Sequence, residues 1–468
     1  MIDFNWAKKE FCNIDFGDTR LNRRFLNVTT LLSKLPSDPI SKACMNWRNS
    51  KAAYRMFDND KLNIEEILNQ HRDSIIKRIG KNKYVLAIED TTTANYHKHK
   101  NKEDLGYILN KEINGGVGTK GLFIHSTLIT STNGVPLGIF DQEIFRRTLK
   151  GRTSSWTKSI KDKESFKWLR PLETLKAYLP ENIKPIFVAD REGDKFPFMA
   201  YACLLEQNFL IRSCQDRVIN DRSRRNFKGE FYHQNEYFYD LIDKTEVKGS
   251  IIVKIYDKKL QRERKVKLNI KFGSLEIPPT NVSRYHDNHL NQFACYFIHA
   301  EESGKKKDKI DWKLLTNLEV KELKDAVEKI KFYQQRWKIE VFHKTLKSGC
   351  KIEDLRFIKK ERYERAITLY SIIAWRILYL TYFARQYPKE NCGKIFSDEE
   401  WKVLFLNEFK SSCFPQKEPN IGEVIIWLGK LGGYLNRKSD GPLGVTNIWR
   451  GLKELNNMVK TYEILRCG

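Results

Sequence analysis

Several patterns are missing from this sequence, and each absence removes a class of protein. No C-x-x-C pair occurs among its nine cysteines, which are scattered from Cys12 to Cys467. That scatter argues against a zinc site or a disulfide framework and for reduced thiols in a cytoplasm. The opening MIDFNWAKKEFC lacks the basic-then-apolar run of a signal peptide, so no export is expected. Residues 366–384 are apolar enough for a membrane span, but Arg376 lies near the middle, polar residues interrupt the run, and no second span accompanies it. A buried helix of a large domain is the better expectation, with no membrane partner. Internal repeats and low-complexity tracts are absent as well. Acidic residues are outnumbered, 59 against 84 basic ones, for a net charge of +25 and a pI near 9.5. Such an excess favours a polyanion as partner, nucleic acid first and an anionic membrane surface second.

What is present is enough for a folded protein of two to four domains: 468 residues, 41% hydrophobic and 12% aromatic. Residues 1 to about 75 read as helical and basic. There, Arg20, Arg23, Arg24 and Lys34 stand among Leu21, Phe25, Leu26, Leu31 and Leu32, and NSKAAYRMFDN adds Lys51 and Arg55. A solvated helix face and a DNA-contacting face both fit that pattern. From KYVLAIED onward the periodicity is that of strands, with LFIHSTLIT and VPLGIF flanking the hairpin signal STNG. PIFVAD, NFLIRS, SIIVKIY, KVKLNIKF and FACYFIHA follow as further strands. Helical periodicity returns near residue 321, and a last helical region is expected from about residue 395.

The residues that carry chemistry begin with YQQRWKIEVFHKTLK, residues 333–347. On a continuous helix Tyr333, Arg336, Glu340 and Lys347 would share a stripe about 60° wide, with Ile339, Phe342 and Leu346 on the opposite, buried side. Most surface helices look this way, so the stripe alone says little. Two more carboxylates add weight. Asp90 is expected to end one apolar strand and Asp190 another, and acids at strand ends lie where sheet folds place ligands. A lone Asp there is usually a turn or cap residue. With Glu340 they could form a three-carboxylate cluster. Oxygen ligands alone point to Mg²⁺ or Mn²⁺ rather than zinc. Phosphodiester cleavage needs more acceleration than the roughly 10²- to 10⁴-fold of one general acid or base, and two metal ions can supply it. Carboxylates on a basic protein thus suggest a metal-dependent enzyme acting on nucleic acid. His97 and His99 read as a solvated loop, and Trp337 and His343 receive no role.

These residues resemble those of bacterial cut-and-paste DDE transposases of the insertion-sequence-four group. The family signature Y-x2-R-x3-E-x6-K is matched by Tyr333, Arg336, Glu340 and Lys347, its D-T-T by Asp90 to Thr92, and its D-R-E-x-D by Asp190 to Asp194. WAKKEF, GDTR, AYR, KESFKWL, DWKLLTN and LGGYLNR extend the likeness over nearly the whole chain. The resemblance implies an α/β fold: a ribonuclease-H-like mixed sheet core with a β-rich insertion at about 220–315, flanked by N-terminal and C-terminal helical domains. The expected limits are 1–75 for a DNA-end-binding domain, 76–394 for the catalytic domain and 395–468 for a dimerisation domain. Also implied are two Mg²⁺ ions on Asp90, Asp190 and Glu340, with Mn²⁺ as a substitute, and cleavage of double-stranded DNA at transposon ends through a hairpin, then joining to target DNA. Tyr333, Arg336 and Lys347 would hold phosphates, and Trp312 would stack on a flipped base. Arg191 and Arg212 are phosphate contacts by position only. The expected partner besides DNA is a second copy, as a homodimer on paired ends, and the expected location is the cytoplasm, on the nucleoid when DNA is bound. A silent DNA-binding regulator and a purely hydrolytic nuclease are the competing expectations.

Overall fold

The computed structural model describes residues 5–99, 104–108, 119–147, 163–225, 231–257, 262–279, 290–304, 309–437 and 439–467. In chain order its elements begin with five helices, α1 (Asn5–Glu10), α2 (Thr19–Lys34), α3 (Ile40–Ala43), α4 (Trp47–Phe57) and α5 (Ile64–Ile79). Strands β1 (Tyr84–Asn95), β2 (Gly106–Tyr107), β3 (Lys120–Ser131) and β4 (Pro136–Phe145) follow. Then come α6 (Arg170–Tyr178), β5 (Lys184–Ala189), α7 (Phe196–Leu204), β6 (Asn208–Arg212), β7 (Val218–Arg225), β8 (Phe231–Tyr237) and α8 (Phe238–Lys244). After β9 (Gly249–Asp257), β10 (Arg262–Ile277), β11 (Phe293–Glu302) and β12 (Asp311–Thr316), the chain is helical: α9 (Leu323–Gln334), α10 (Trp337–Lys344), α11 (Lys360–Gln386), α12 (Asp398–Phe409), α13 (Ile421–Leu431) and α14 (Val445–Cys467). A mixed sheet preceded and followed in the chain by helices is the architecture expected of a ribonuclease-H-like core with helical domains on either side in sequence.

The chain divides into two compact units. One comprises residues 82–90 and 150–337 and is built on strands in the order β1-β5-β6-β12-β11-β10-β9. β1, β5 and β6 run parallel, and from β6 onward every neighbouring pair is antiparallel. The parallel strands are buried through and through: Val85 to Ile88 and Phe187 to Val188 are fully shielded, as expected of strands covered on both faces. Within the β-rich stretch only β7 and β8 form a separate two-stranded sheet, whereas β9, β10 and β11 continue the main sheet beyond β12. The stretch is therefore largely an extension of the core sheet, held by backbone ladders.

The other unit comprises residues 1–81, 91–149 and 338–468. Its strands β2, β3 and β4 pair antiparallel, and the STNG hairpin forms as expected, closed by Ser131 N–H to Val135 O at 2.9 Å with Gly134 at φ +92°. Helices α5 and α11 pack on β4: Arg72 Nε donates to Phe140 O at 2.8 Å and Trp375 Nε1 to Pro136 O at 3.0 Å. Helix α11 is the apolar run that tests as a membrane span by length and hydropathy, and 78% of that window is buried inside the protein. Its Arg376 lies 4.7 Å over the Trp6 ring, so the charge that argues against a span is packed internally.

Candidate functional site

In the first unit the geometry starts from backbone register. β1 and β5 pair from Tyr84↔Lys184 to Ile88↔Val188 without a slip. Two residues further along each strand stand Asp90 and Asp190, which therefore occupy the same level and, being an even step on, the same side of neighbouring strands about 4.8 Å apart. Both are half-exposed, at the point where the fully buried run stops. One expectation needs correction here: Asp90 does not end its strand. β1 runs on to Asn95 because the three threonines after Asp90 are β-branched and favour the pleated conformation.

Asp190 does end its strand, and it is also a cap, since its carboxylate accepts the Glu192 N–H at 2.8 Å and opens a 3₁₀ turn, Arg191–Gly193. The ordinary cap role is thus realised in this side chain. Gly193 is required in that turn, because a Cβ would come within 2.5 Å of the Ala189 Cβ. Asp194 then locks the turn from below. It is fully buried and accepts from Ser213 Oγ at 3.0 Å, Cys214 N–H at 2.8 Å and Gln215 N–H at 3.2 Å, and it pairs with Arg217. Nothing in the sequence alone announced this clamp, since its donors come from the loop after β6.

Around Asp190 stand the cations and rings. Tyr333 is 5% exposed and meets Trp312 edge-on at 5.4 Å. Burial pushes its phenol up and the Asp190 charge adds to that, while the guanidinium groups of Arg336 and Arg212 oppose it, so all four residues share one electrostatic neighbourhood. Arg212, at the end of β6, donates to Asp311 O at 2.9 Å. Trp312 is half-exposed on β12, and Arg191 is exposed on the turn.

The helix expected across residues 333–347 is not continuous. α9 stops at Gln334, and Gln335 and Arg336 form a tight turn in which Gln335 N–H bonds Phe332 O and Arg336 N–H bonds Tyr333 O, each at 3.0 Å. Helix α10 follows, and Thr345–Gly349 widen into a π turn. The common stripe therefore does not exist as a single helical face, since both interruptions change the angular step. Tyr333 correspondingly points into packing rather than to solvent.

In the second unit Glu340 is half-exposed on α10, while Ile339, Phe342 and Leu346 are fully buried, the apolar side expected from the spacing. Lys347 lies in the π turn 3.7 Å from Glu353, whose carboxylate also accepts the Asn95 N–H at 2.8 Å. His343 is buried and pushed down to about 3 by burial and by Lys347. Thr91 Oγ1 lies 2.9 Å from His125 Nδ1 at the start of this unit's share of β1. Among the described residues no group of three His, Cys, Asp or Glu side chains is gathered closely enough to hold a metal ion.

The same unit contains a basic groove. Arg20, Arg23, Arg24 and Asn27 of α2 and Arg48 and Asn49 of α4 line a concavity of about 500 Å³. Asp18 caps α2 by accepting from Arg20 N–H and Leu21 N–H, and Leu21, Phe25 and Leu32 are buried on the side away from the groove. The three expected arginines are thus brought together. Arg48 and Asn49 were missed, although Arg48 stands one helical turn before Lys51.

Two comparisons with known protein families bear on these regions. Residues 3–62 match the family model described as transposase DNA-binding. Residues 372–467 match that of the Tn5 transposase dimerisation domain. Together the matches support a Tn5-type transposase, a protein that binds DNA and pairs its protomers.

Proposed function

We propose that the chain is a DDE transposase of the insertion-sequence-four group, cutting its element out of DNA at inverted repeats and joining it to a target. The observation that carries the reading is the equal level of Asp90 and Asp190 on two parallel strands, with Arg212, Arg336 and Trp312 grouped near Asp190 and Tyr333. Two side-by-side carboxylates make a donor set suited to a hard divalent cation. Asp90, Asp190 and Glu340 would hold two Mg²⁺ ions, or Mn²⁺, which when bound polarise the phosphodiester and lower the pKa of the attacking oxygen's proton.

The residues of the chain supply position and charge. Arg212 and Arg336 offer planar forks to the phosphate oxygens, and Lys347 offers a point charge. Burial keeps the Tyr333 phenol protonated, so it can donate to a phosphate but cannot repel one. Trp312 presents the ring surface left free by its edge contact with Tyr333, enough to stack a flipped base for about 1–3 kcal/mol. Water first breaks the P–O bond at the transposon end and leaves a 3′-OH. That hydroxyl attacks the opposite strand to give a hairpin, water reopens it, and the released 3′-OH attacks target DNA. Each step exchanges one P–O bond for another, so one site serves all of them. In this reading residues 1–75 bind the ends, residues 76–394 perform the chemistry, residues 395–468 pair protomers into a homodimer on the DNA, and the protein works in the cytoplasm on the nucleoid.

The test is incubation of purified protein with labelled DNA carrying the inverted repeats that flank its gene, in Mg²⁺ and in Ca²⁺, beside Glu340→Ala. Mg²⁺-dependent nicks, hairpins and joined products that vanish in the variant are expected. Binding without cleavage by both proteins would leave a silent regulator, and nicks without hairpins or joining would leave a nuclease.

A further inference from the structure

The turn between α3 and α4 displays two large apolar side chains, the second of them next in sequence to Arg48 of the basic groove. Met45 adopts φ +68°, a left-handed conformation that side chains other than Gly, Asn and Asp seldom take, and it is 52% exposed. Trp47, the first residue of α4, is 78% exposed. An indole in water contributes nothing to the core, and a strained turn that presents methionine to solvent costs stability where glycine would not. Neither feature is explained by folding.

Their surroundings say what they meet. Between Asp38 and Asp58 there is no acidic residue, while Lys42, Arg48, Lys51 and Arg55 all fall in that interval. Arg48, next to Trp47, lines the groove with Arg20, Arg23 and Arg24. A polyanion held there places phosphates on the arginines, and neither a thioether nor an indole ring gains from phosphate. Apart from the small thymine methyl groups, the apolar surfaces a duplex offers are the faces of its bases, reached by opening a stack. A protein partner would have to bring its own apolar patch against Arg48, Lys51 and Arg55, while Lys42 is already paired with Asp38 at 3.4 Å.

We propose that Trp47, with Met45 beside it, is a wedge that inserts into a base step of the duplex seated on Arg20, Arg23, Arg24 and Arg48 and bends it. This rests on the DNA-binding reading of residues 3–62, and the test separates the two. End DNA carrying 2-aminopurine at successive steps, and a donor–acceptor dye pair across its length, is titrated with full-length wild type, Trp47→Ala, Trp47→Phe, Met45→Gly and Arg23→Ala. Trp47 is exposed, so unchanged far-ultraviolet spectra and melting curves are expected for its variants.

Wild type should raise 2-aminopurine emission severalfold at one step and bring the dyes closer. Trp47→Ala should abolish both signals at saturating protein while affinity falls no more than about tenfold, and Trp47→Phe should restore part of them. Met45→Gly should reduce the bend without removing the emission change. If Trp47→Ala binds and leaves both signals intact, the wedge is wrong and the DNA-binding reading stands. If it leaves the distortion intact but stops two protomers assembling on DNA, Trp47 is a protein contact and the wedge is again wrong. If wild type fails to bind end DNA at all, the reading beneath the proposal fails with it.

Discussion

The acidic edge of the parallel strands and the basic groove of the N-terminal helices differ in how their side chains are held. Asp190 sits on a strand end whose following turn is fixed by a buried carboxylate with four partners. The groove arginines project from two helices, and among the described residues none of Arg20, Arg23, Arg24 and Arg48 is held in an ion pair. Displacement at phosphorus requires reacting groups placed within fractions of an ångström, which strands and locked turns supply. Capture of a duplex requires charge that adapts to the backbone it meets, which long side chains on helices supply. On the proposed reading, rigidity serves the chemistry and freedom serves the binding.

The largest effect is expected at Asp190. Asp190→Asn keeps the cap geometry, since the amide oxygen can still accept the Glu192 N–H, yet it removes the charge. Cleavage should fall by a factor on the order of 10³ or more, while end-DNA affinity changes by a few-fold at most, as read from gel assays run in parallel. A variant that still cleaves would move the catalytic centre elsewhere. Asp194→Ala is next in size. It leaves Arg217 without its buried partner and two backbone N–H groups without an acceptor, a loss of about 3 kcal/mol in urea unfolding. Cleavage should decline with it through the loosened turn, and an unchanged unfolding midpoint would show that the clamp is not needed.

How far the sequence alone reaches can be judged on these same residues. Two acids after apolar runs, and the helix carrying Glu340 with its buried Ile339, Phe342 and Leu346, were readable because burial patterns are local. That Asp90 and Asp190 share a level was not, because register depends on which strands pair, and those two lie a hundred positions apart in sequence. The break at Gln335 and Arg336 was invisible for a different reason: both residue types favour helix, so no breaker marks the turn. The D-R-E-x-D match includes Asp194, but its clamping role was not legible, since its partners lie 19 to 23 residues away. Arg48 was overlooked although the groove that gives it meaning needed only two helices to pack.

The groove responds in smaller steps. Arg20→Ala, Arg23→Ala and Arg24→Ala should each weaken end binding roughly three- to tenfold near ~0.15 M salt and lower the slope of log affinity against log salt by about 0.9. Cleavage of DNA already bound should be unaffected. A slope unchanged by all three substitutions would remove the groove from the DNA interface.

The smallest effect at neutral pH comes from paired and hidden charge on helices α1 and α5 of the same unit. Glu10 is 4% exposed, bonded to the His71 ring and to Arg78 through Nη1 at 2.7 Å and Nη2 at 3.0 Å. His71 Nε2 accepts the Ile139 N–H at 3.0 Å, so its proton lies on Nδ1 toward Glu10. Burial alone would push the Glu10 carboxyl up, but His71 and Arg78 outweigh it and bring it from 4.5 down to about 2. Burial pushes His71 down from 6.5. For both groups the unfolded chain binds protons at a pH where the folded one does not, so stability rises with pH. It should be complete above about pH 6.5, decline first as unfolded His71 takes up its proton, and decline again between about pH 4.5 and pH 2 as Glu10 is neutralised. Urea midpoints followed from pH 7 to pH 3 should show both declines, and Glu10→Gln should flatten the second. A profile in Glu10→Gln that keeps the full acid decline would place the titrating group elsewhere and leave the helices held by packing alone.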